Sequence, residues 1–145
     1  MTHDVRIDWN LENVPVKIRT NSVLGSKERL NILFYSAQDD IAGGVQIKFL
    51  LTPKYYFGWC TGWNNFPSTL PSATQKTWRI TLDKSEGIRV IIHCNGVLVL
   101  NLLLSDQVCT NYGSRYYNYW SRDVTQLYFS SGDRASDYYR PYSGN

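Results

Sequence analysis

The sequence predicts an all-β domain, a two-layer antiparallel β-sandwich of jelly-roll-like type with eight or nine strands. Three observations point there. Val, Ile and Thr together number 29 of 145 residues, whereas Ala and Glu together number 7, and pleated sheets favour the β-branched types that helices disfavour. Apolar residues alternate with polar ones in short runs from one end of the chain to the other. An Asn-Gly pair at 95–96 joins two β-branched runs, the strongest short-range signal for a β-hairpin. A length of 145 residues matches one hydrophobic core, so residues 1–145 are read as a single domain.

The strands follow in order. Val5 to Trp9 alternates, as does Val14 to Thr20 through Val14, Val16 and Ile18. Leu30 to Tyr35 and Val45 to Leu51 are apolar runs of strand length, with Asp39-Asp40 and Gly43-Gly44 in the turn between them. Trp78, Ile80 and Leu82 share one face, opposite Thr77, Arg79 and Thr81. The Ile88–Cys94 and Val97–Leu102 runs form the Asn95-Gly96 hairpin. Setting Cys94 opposite Val97 puts Ile92 against Val99 and Val90 against Asn101, with His93 against Leu98 and Ile91 against Leu100 on the other face. Both faces are apolar, so this hairpin is expected at the centre of a sheet. Thr125 to Ser130 is the last strand, with Leu127 and Phe129 inward. Ser105-Asp106-Gln107 reads as one capped helical turn, and 61–74, 110–123 and 133–142 read as loops and tail. No internal repeat is visible, which disfavours a trefoil or propeller.

Several function classes drop out. Fifteen basic against 12 acidic residues leave a net charge of +3, too balanced to indicate a nucleic-acid or anionic-membrane surface. No apolar run reaches the ~20 residues that span a bilayer, so membrane insertion is not expected. Met1 to Asp4 lacks the apolar core of a signal peptide. The chain is expected either in the cytosol or, with Met1 in place of a leader, as the mature part of a secreted protein. Phosphate-loop, HExxH and GxSxG motifs are absent. His93 and Cys94 point to opposite faces and cannot form a nucleophile–base dyad. Turn chemistry accounts for most of the carboxylates, and the chain is not expected to be an enzyme.

Cys60, Cys94 and Cys109 lack the spacing of a zinc site. Two readings stay open: three small buried thiols, or one disulfide such as Cys94–Cys109 with Cys60 free or bridging two subunits. Asp39, Asp40, Asp133 and Asp137 could hold calcium at one end of the sandwich, though without the spacing of a calcium loop. No other cofactor is implied.

Binding by loops is the better-supported chemistry. The chain has 11 Tyr, 5 Trp and 5 Phe, more than a core of this size needs. They gather beside polar residues outside the strands, in Trp63-Asn64-Asn65-Phe66, in Tyr116 to Asp123 and in Asp133 to Tyr142. A pyranose presents a C–H face that packs on an aromatic ring and hydroxyls that bond amides, carboxylates and guanidinium groups. The predicted ligand-binding residues are therefore Trp63 or Trp120 as stacking platform with Asn64, Asn65, Arg122 and Asp123, and a second group of Arg134, Asp137 and Tyr139. The alternatives are a protein-interaction surface rich in Tyr and, less favoured, a binder of single-stranded nucleic acid. Weak individual sugar sites gain from avidity, and an odd cysteine and exposed sheet edges suit a homodimer.

The segments Phe66 to Thr74, Trp78-Arg79-Ile80-Thr81, Ile92-His93-Cys94-Asn95, Leu104-Ser105-Asp106 and Tyr119 to Asp123 resemble secreted β-sandwich domains of marine invertebrates. Small galactose- or lactosamine-binding lectins of feather stars and sea anemones are of this kind. The order of Trp63-Asn64-Asn65, a Trp-Arg-Ile strand and an Ile-Arg-Val hairpin is also similar to the farnesoic acid O-methyltransferase-like domain, although no methyltransferase cofactor motif is present. The resemblance spans about residues 30–140 and implies a secreted sandwich that binds terminal galactose-type glycans. It assigns no site residue.

Overall fold

The computed structural model describes residues 2–9, 15–25, 29–35, 45–49, 54–57, 63–104, 126–130 and 139–141. They form eleven strands and no helix: β1 (Thr2–Trp9), β2 (Pro15–Leu24), β3 (Leu30–Tyr35), β4 (Val45–Phe49), β5 (Lys54–Phe57), β6 (Asn64–Asn65), β7 (Lys76–Asp83), β8 (Ile88–Cys94), β9 (Val97–Leu104), β10 (Gln126–Ser130) and β11 (Tyr139–Pro141). The five-stranded sheet has the order β1-β2-β7-β8-β9 and the six-stranded sheet the order β11-β10-β3-β4-β5-β6, with every pairing antiparallel. Two long connections close the sandwich by bringing β7 beside β2 and β10 beside β3, returns of the Greek-key kind on which jelly-roll-like folds are built.

Both sheets contribute to one core. From the five-stranded sheet come Ile18, Leu24, Trp78, Ile80, Leu82, Ile88, Val90, Ile92, Cys94, Val99, Leu100 and Leu104, and from the second sheet and its exit come Leu30, Ile32, Tyr55, Phe57 and Phe66. The alternation read from the sequence is realised here: Trp78, Ile80 and Leu82 are at most 1% exposed, while Thr77 and Arg79 face solvent. A run of rings ties the layers together. Phe57 and Tyr55 have centroids 5.2 Å apart, Tyr55 and Phe66 5.1 Å, and Phe66 stacks on Trp78 at 5.7 Å with 28° between planes. Each such pair adds roughly 0.5–1.5 kcal/mol beyond the area it buries.

The Asn95-Gly96 turn forms as expected, with φ of 50° and 81° at its two residues, the left-handed pair a type I′ turn requires. Asn95 does more than turn the chain. Its Oδ1 accepts a hydrogen bond from the Thr77 amide at 2.7 Å, and its own amide donates to the Thr77 carbonyl at 2.9 Å. The hairpin tip is thereby sewn to β7.

The structure corrects four expectations. The hairpin is not central: β7 holds the middle of its sheet and β9 lies at the edge. The outward residues of β9 misled the reading, since Leu98 and Leu103 are 51% and 43% exposed. The register holds as far as His93 opposite Leu98, then a bulge at Val99 sets Ile92 opposite Leu100, Ile91 opposite Asn101 and Val90 opposite Leu102. One extra residue lets Val99 and Leu100 both bury. The described residues form eleven strands where eight or nine were expected, because β5, β6 and β11 are too short to show an alternation; β6 lies in the segment 61–74 read as a loop and β11 in the segment 133–142 read as tail. The second strand runs Pro15–Leu24, past Thr20, because buried Thr20 and Ser22 occupy inward positions that a hydropathy pattern assigns to apolar residues. The helical turn at 105–107 and the loop 110–123 lie outside the described residues.

Gly96→Ala should destabilise the domain by about 1 kcal/mol through its positive φ, with open space around the added methyl. Asn95→Ala should cost more, about 1–2 kcal/mol, because the Thr77 bond goes too. Urea unfolding of both variants checks the order. Phe66→Ala should cost about 3–5 kcal/mol in the same assay.

Candidate functional site

The exit from the six-stranded sheet builds the candidate site. In β5, Tyr55 and Phe57 point into the core while exposed Lys54 and half-buried Tyr56 point out. β6 lies along this strand, with Asn64 opposite Tyr55 and Asn65 opposite Lys54. The alternation continues through its neighbours. Phe66 turns inward, 6% exposed, and Trp63 turns outward, where its ring lies 5.3 Å from that of Tyr56 at 40°. Trp63 is 45% exposed and Asn64 and Asn65 are both exposed. A half-exposed indole braced by Tyr56, with the Asn65 amide on the same face, is thus displayed at a sheet edge.

Of the predicted residues, Trp63 and Asn65 share this outward face, whereas Asn64, opposite inward Tyr55, is exposed on the other side of the strand. Tyr139 is in β11, paired with Tyr128 of β10, at the far edge of the same sheet from β6. Five inter-strand steps separate the two edges, roughly 24 Å at the usual spacing, so Tyr139 belongs to a different place from Trp63. Trp120, Arg122, Asp123, Arg134 and Asp137 lie outside the described residues. Tyr56 is the member that sequence reasoning missed. A Lys-Tyr-Tyr-Phe run gives no warning of which Tyr faces out, and only the pairing of β5 with β6 brings Tyr56 under Trp63.

A small open cavity of about 100 Å³ lies elsewhere, at the β7–β8 turn, lined by Asp83, Ser85, Glu86 and Arg89; ligand clefts generally have several times that volume. Asp83 organises this turn. Its Oδ1 accepts from the Ser85 amide at 3.0 Å and from the Ser85 hydroxyl at 2.6 Å, and its Oδ2 lies 3.8 Å from Lys17 Nζ. Burial acts to raise the Asp83 pKa, but the Ser85 bonds and the charges of Lys17 and Arg89 outweigh it and hold the carboxyl below its ordinary 3.8.

No group of three or more His, Cys, Asp or Glu among the described residues could hold a metal ion; the aspartates considered for calcium, Asp39, Asp40, Asp133 and Asp137, lie outside them. Cys94 is a free thiol with 0% exposure. This corrects the disulfide alternative of Cys94 with Cys109: Cys94 sits inward, opposite Trp78. Burial pushes its pKa up, against a smaller opposing effect of Lys76. Cys60 and Cys109 lie outside the described residues. His93 occupies the outward face, as the alternation requires.

Comparison with protein families, with curated proteins and with solved structures finds no match.

In a variant with Cys60 and Cys109 replaced by Ser, Cys94 should resist a thiol reagent in the folded state and react on denaturation. Labelling at native-state rates typical of a free thiol would contradict its burial. Because folding depresses the Asp83 pKa, its contribution to stability should be present above 3.8 and fade as pH falls through the lower folded value. Asp83→Asn should flatten the acid limb of the urea-midpoint profile.

Proposed function

We propose that the protein is a non-catalytic carbohydrate-binding protein that takes a terminal galactose-type sugar at the β5–β6 edge. The observation that carries this reading is the exposed Trp63 ring, braced by Tyr56 and with Asn65 on the same outward face. The apolar C–H face of a pyranose lies on the indole and sheds water there, while the Asn65 amide exchanges hydrogen bonds with hydroxyls at the ring edge. Bracing matters to affinity: a ring already held by a neighbour loses less rotamer freedom when the sugar arrives. Such a shallow site is weak singly, which is the reason to propose a secreted homodimer that engages several glycans at once.

A second reading has its own support. Val97, Leu98 and Leu103 are 50%, 51% and 43% exposed on edge strand β9, and an apolar sheet edge is a surface other proteins use. On that reading the chain is a protein-interaction module.

A glycan array on the purified protein, run with calcium and again with chelator, separates the two. Selective signal on a terminal galactoside is expected, and its loss in chelator would bring calcium into the site. A blank array under both conditions would overturn the lectin reading. Trp63→Ala should lower affinity for the galactoside about tenfold or more while leaving the melting temperature within a few degrees, since the ring is largely outside the core. Normal binding by that folded variant would remove Trp63 from the site.

A further inference from the structure

The outward face of the five-stranded sheet carries charges that the sheet itself does not neutralise. Strand register sets them in rows. One row runs Asp8, Lys17, Asp83, Arg89 and Leu103; the next runs Arg6, Arg19, Thr81, Ile91 and Asn101; the third runs Asp4, Asn21, Arg79, His93 and Leu98. The first row is satisfied internally. Lys17 pairs with Asp83 at 3.8 Å, and Arg89 donates to Asn101 Oδ1 at 2.7 Å.

The other two rows are not. Arg6 lies directly opposite Arg19, and Arg79 directly opposite His93. Arg79 is also the diagonal neighbour of Arg19 across the β2–β7 pair, where Arg19 faces Thr81. Opposed residues have Cβ atoms about 5 Å apart and diagonal ones about 7–8 Å, so the three arginines mark a triangle on three adjacent strands, its long side running from Arg6 to Arg79 across two strand spacings, roughly 12 Å. Among the described residues none of the three forms an ion pair, and Arg19 Nε and His93 Nδ1 are sealed from solvent with no hydrogen-bond partner. Like charges placed opposite each other weaken a sheet. The Arg6–Arg19 pair, with Arg79 diagonal to it and a neutralised row beside it, forms a surface that an anion would stabilise. Asp4 and Asp8 flank Arg6 along β1 and confine the positive field to the triangle.

We propose that Arg6, Arg19 and Arg79 form a binding site for a sulfate group of an acidic glycan, on the face of the sandwich opposite Trp63. The ligand class follows from the shape and the company of the cations. Guanidinium forks bind oxyanions in bidentate fashion, and three forks carried on neighbouring positions of three strands suit the three free oxygens of a sulfate ester better than the two coplanar oxygens of a carboxylate. Asn21 and Asn101 lie in the same rows and supply amide partners for a sugar ring. Nucleic acid is disfavoured because no Trp, Tyr or Phe lies in these rows, and single strands bind through stacked bases. The site is separate from the Trp63 platform and does not depend on the neutral-sugar reading.

The test is titration calorimetry on the full chain with a heparin octasaccharide, with the same octasaccharide chemically desulfated, and with a single-stranded oligonucleotide of similar charge, each at two salt concentrations. The sulfated ligand should bind, with affinity falling as salt rises, and the desulfated one should bind about tenfold or more weakly. The double variant Arg19→Gln/Arg79→Gln should lose about tenfold or more in affinity for the sulfated ligand and show a shallower salt dependence, with its binding of a neutral galactoside unchanged. Arg6→Lys keeps the charge without the fork and should fall between wild type and double variant. If the double variant fails to fold, the exposed Arg6→Gln carries the test. Absence of octasaccharide binding, equal binding of the desulfated ligand, equal or tighter binding of the oligonucleotide, or an unaltered variant would each overturn the proposal. Loss of galactoside binding on Trp63→Ala with octasaccharide binding intact would support the independence of the two faces.

Discussion

The stack of Phe66 on Trp78 is the contact on which the arrangement depends. Phe66 leaves the six-stranded sheet immediately after β6, and Trp78 is fully buried in β7, the central strand of the other sheet. Through Tyr55 and Phe57 the same run of rings reaches back into β5. The contact therefore joins the layers at the point where the chain crosses between them. It also anchors a two-residue strand that has little pairing of its own: β6 meets β5 at only two register positions. Period-two geometry does the rest. With Phe66 held inward, Asn65 and Trp63 fall on outward positions, and Trp63 comes to rest against Tyr56. The same alternation that fills the core sets out the surface platform.

The two sheets manage their outward faces differently. At the β5–β6 edge an aromatic pair and the Asn65 amide are displayed with a single described cation, Lys54, beside them. On the five-stranded sheet the display is charged, and the register alone decides which charges cancel. Lys17 meets Asp83 and relieves it, whereas Arg6 meets Arg19 and gains nothing. The edges differ as well. β1 places Asp4, Arg6 and Asp8 on its outward side, the charged kind of edge that resists pairing with other chains. β9 carries no charge along VLVLNLLL and is interrupted only by the bulge at Val99.

Several elements were legible in the sequence because their causes are local. An Asn-Gly turn needs positive φ at two adjacent residues, and few other pairs tolerate that, so Asn95-Gly96 announces itself. Alternation placed Trp78, Ile80 and Leu82 inward, and it put His93 and Cys94 on opposite faces, from the period of the strand alone. Where a polar residue lies inward, as Thr20 and Ser22 do, the pattern breaks and the strand is read too short. Short strands fail for the same reason, since two or three residues contain no period to detect.

What the sequence determined by itself is the all-β class, the positions and facing of the longer strands, and one hairpin turn. Each of these is set by neighbours within a few residues. Tertiary structure alone decided which strands became edges, where the β9 ladder slips, that Tyr56 lies under Trp63, that Tyr139 is at the opposite edge, and that Arg6, Arg19 and Arg79 gather in one triangle. These depend on pairings between segments far apart in the chain, and a strand's own sequence carries the same alternation whichever partner it meets. The choice of partner is made by the whole core at once, through contacts such as Phe66 on Trp78 that no local window contains.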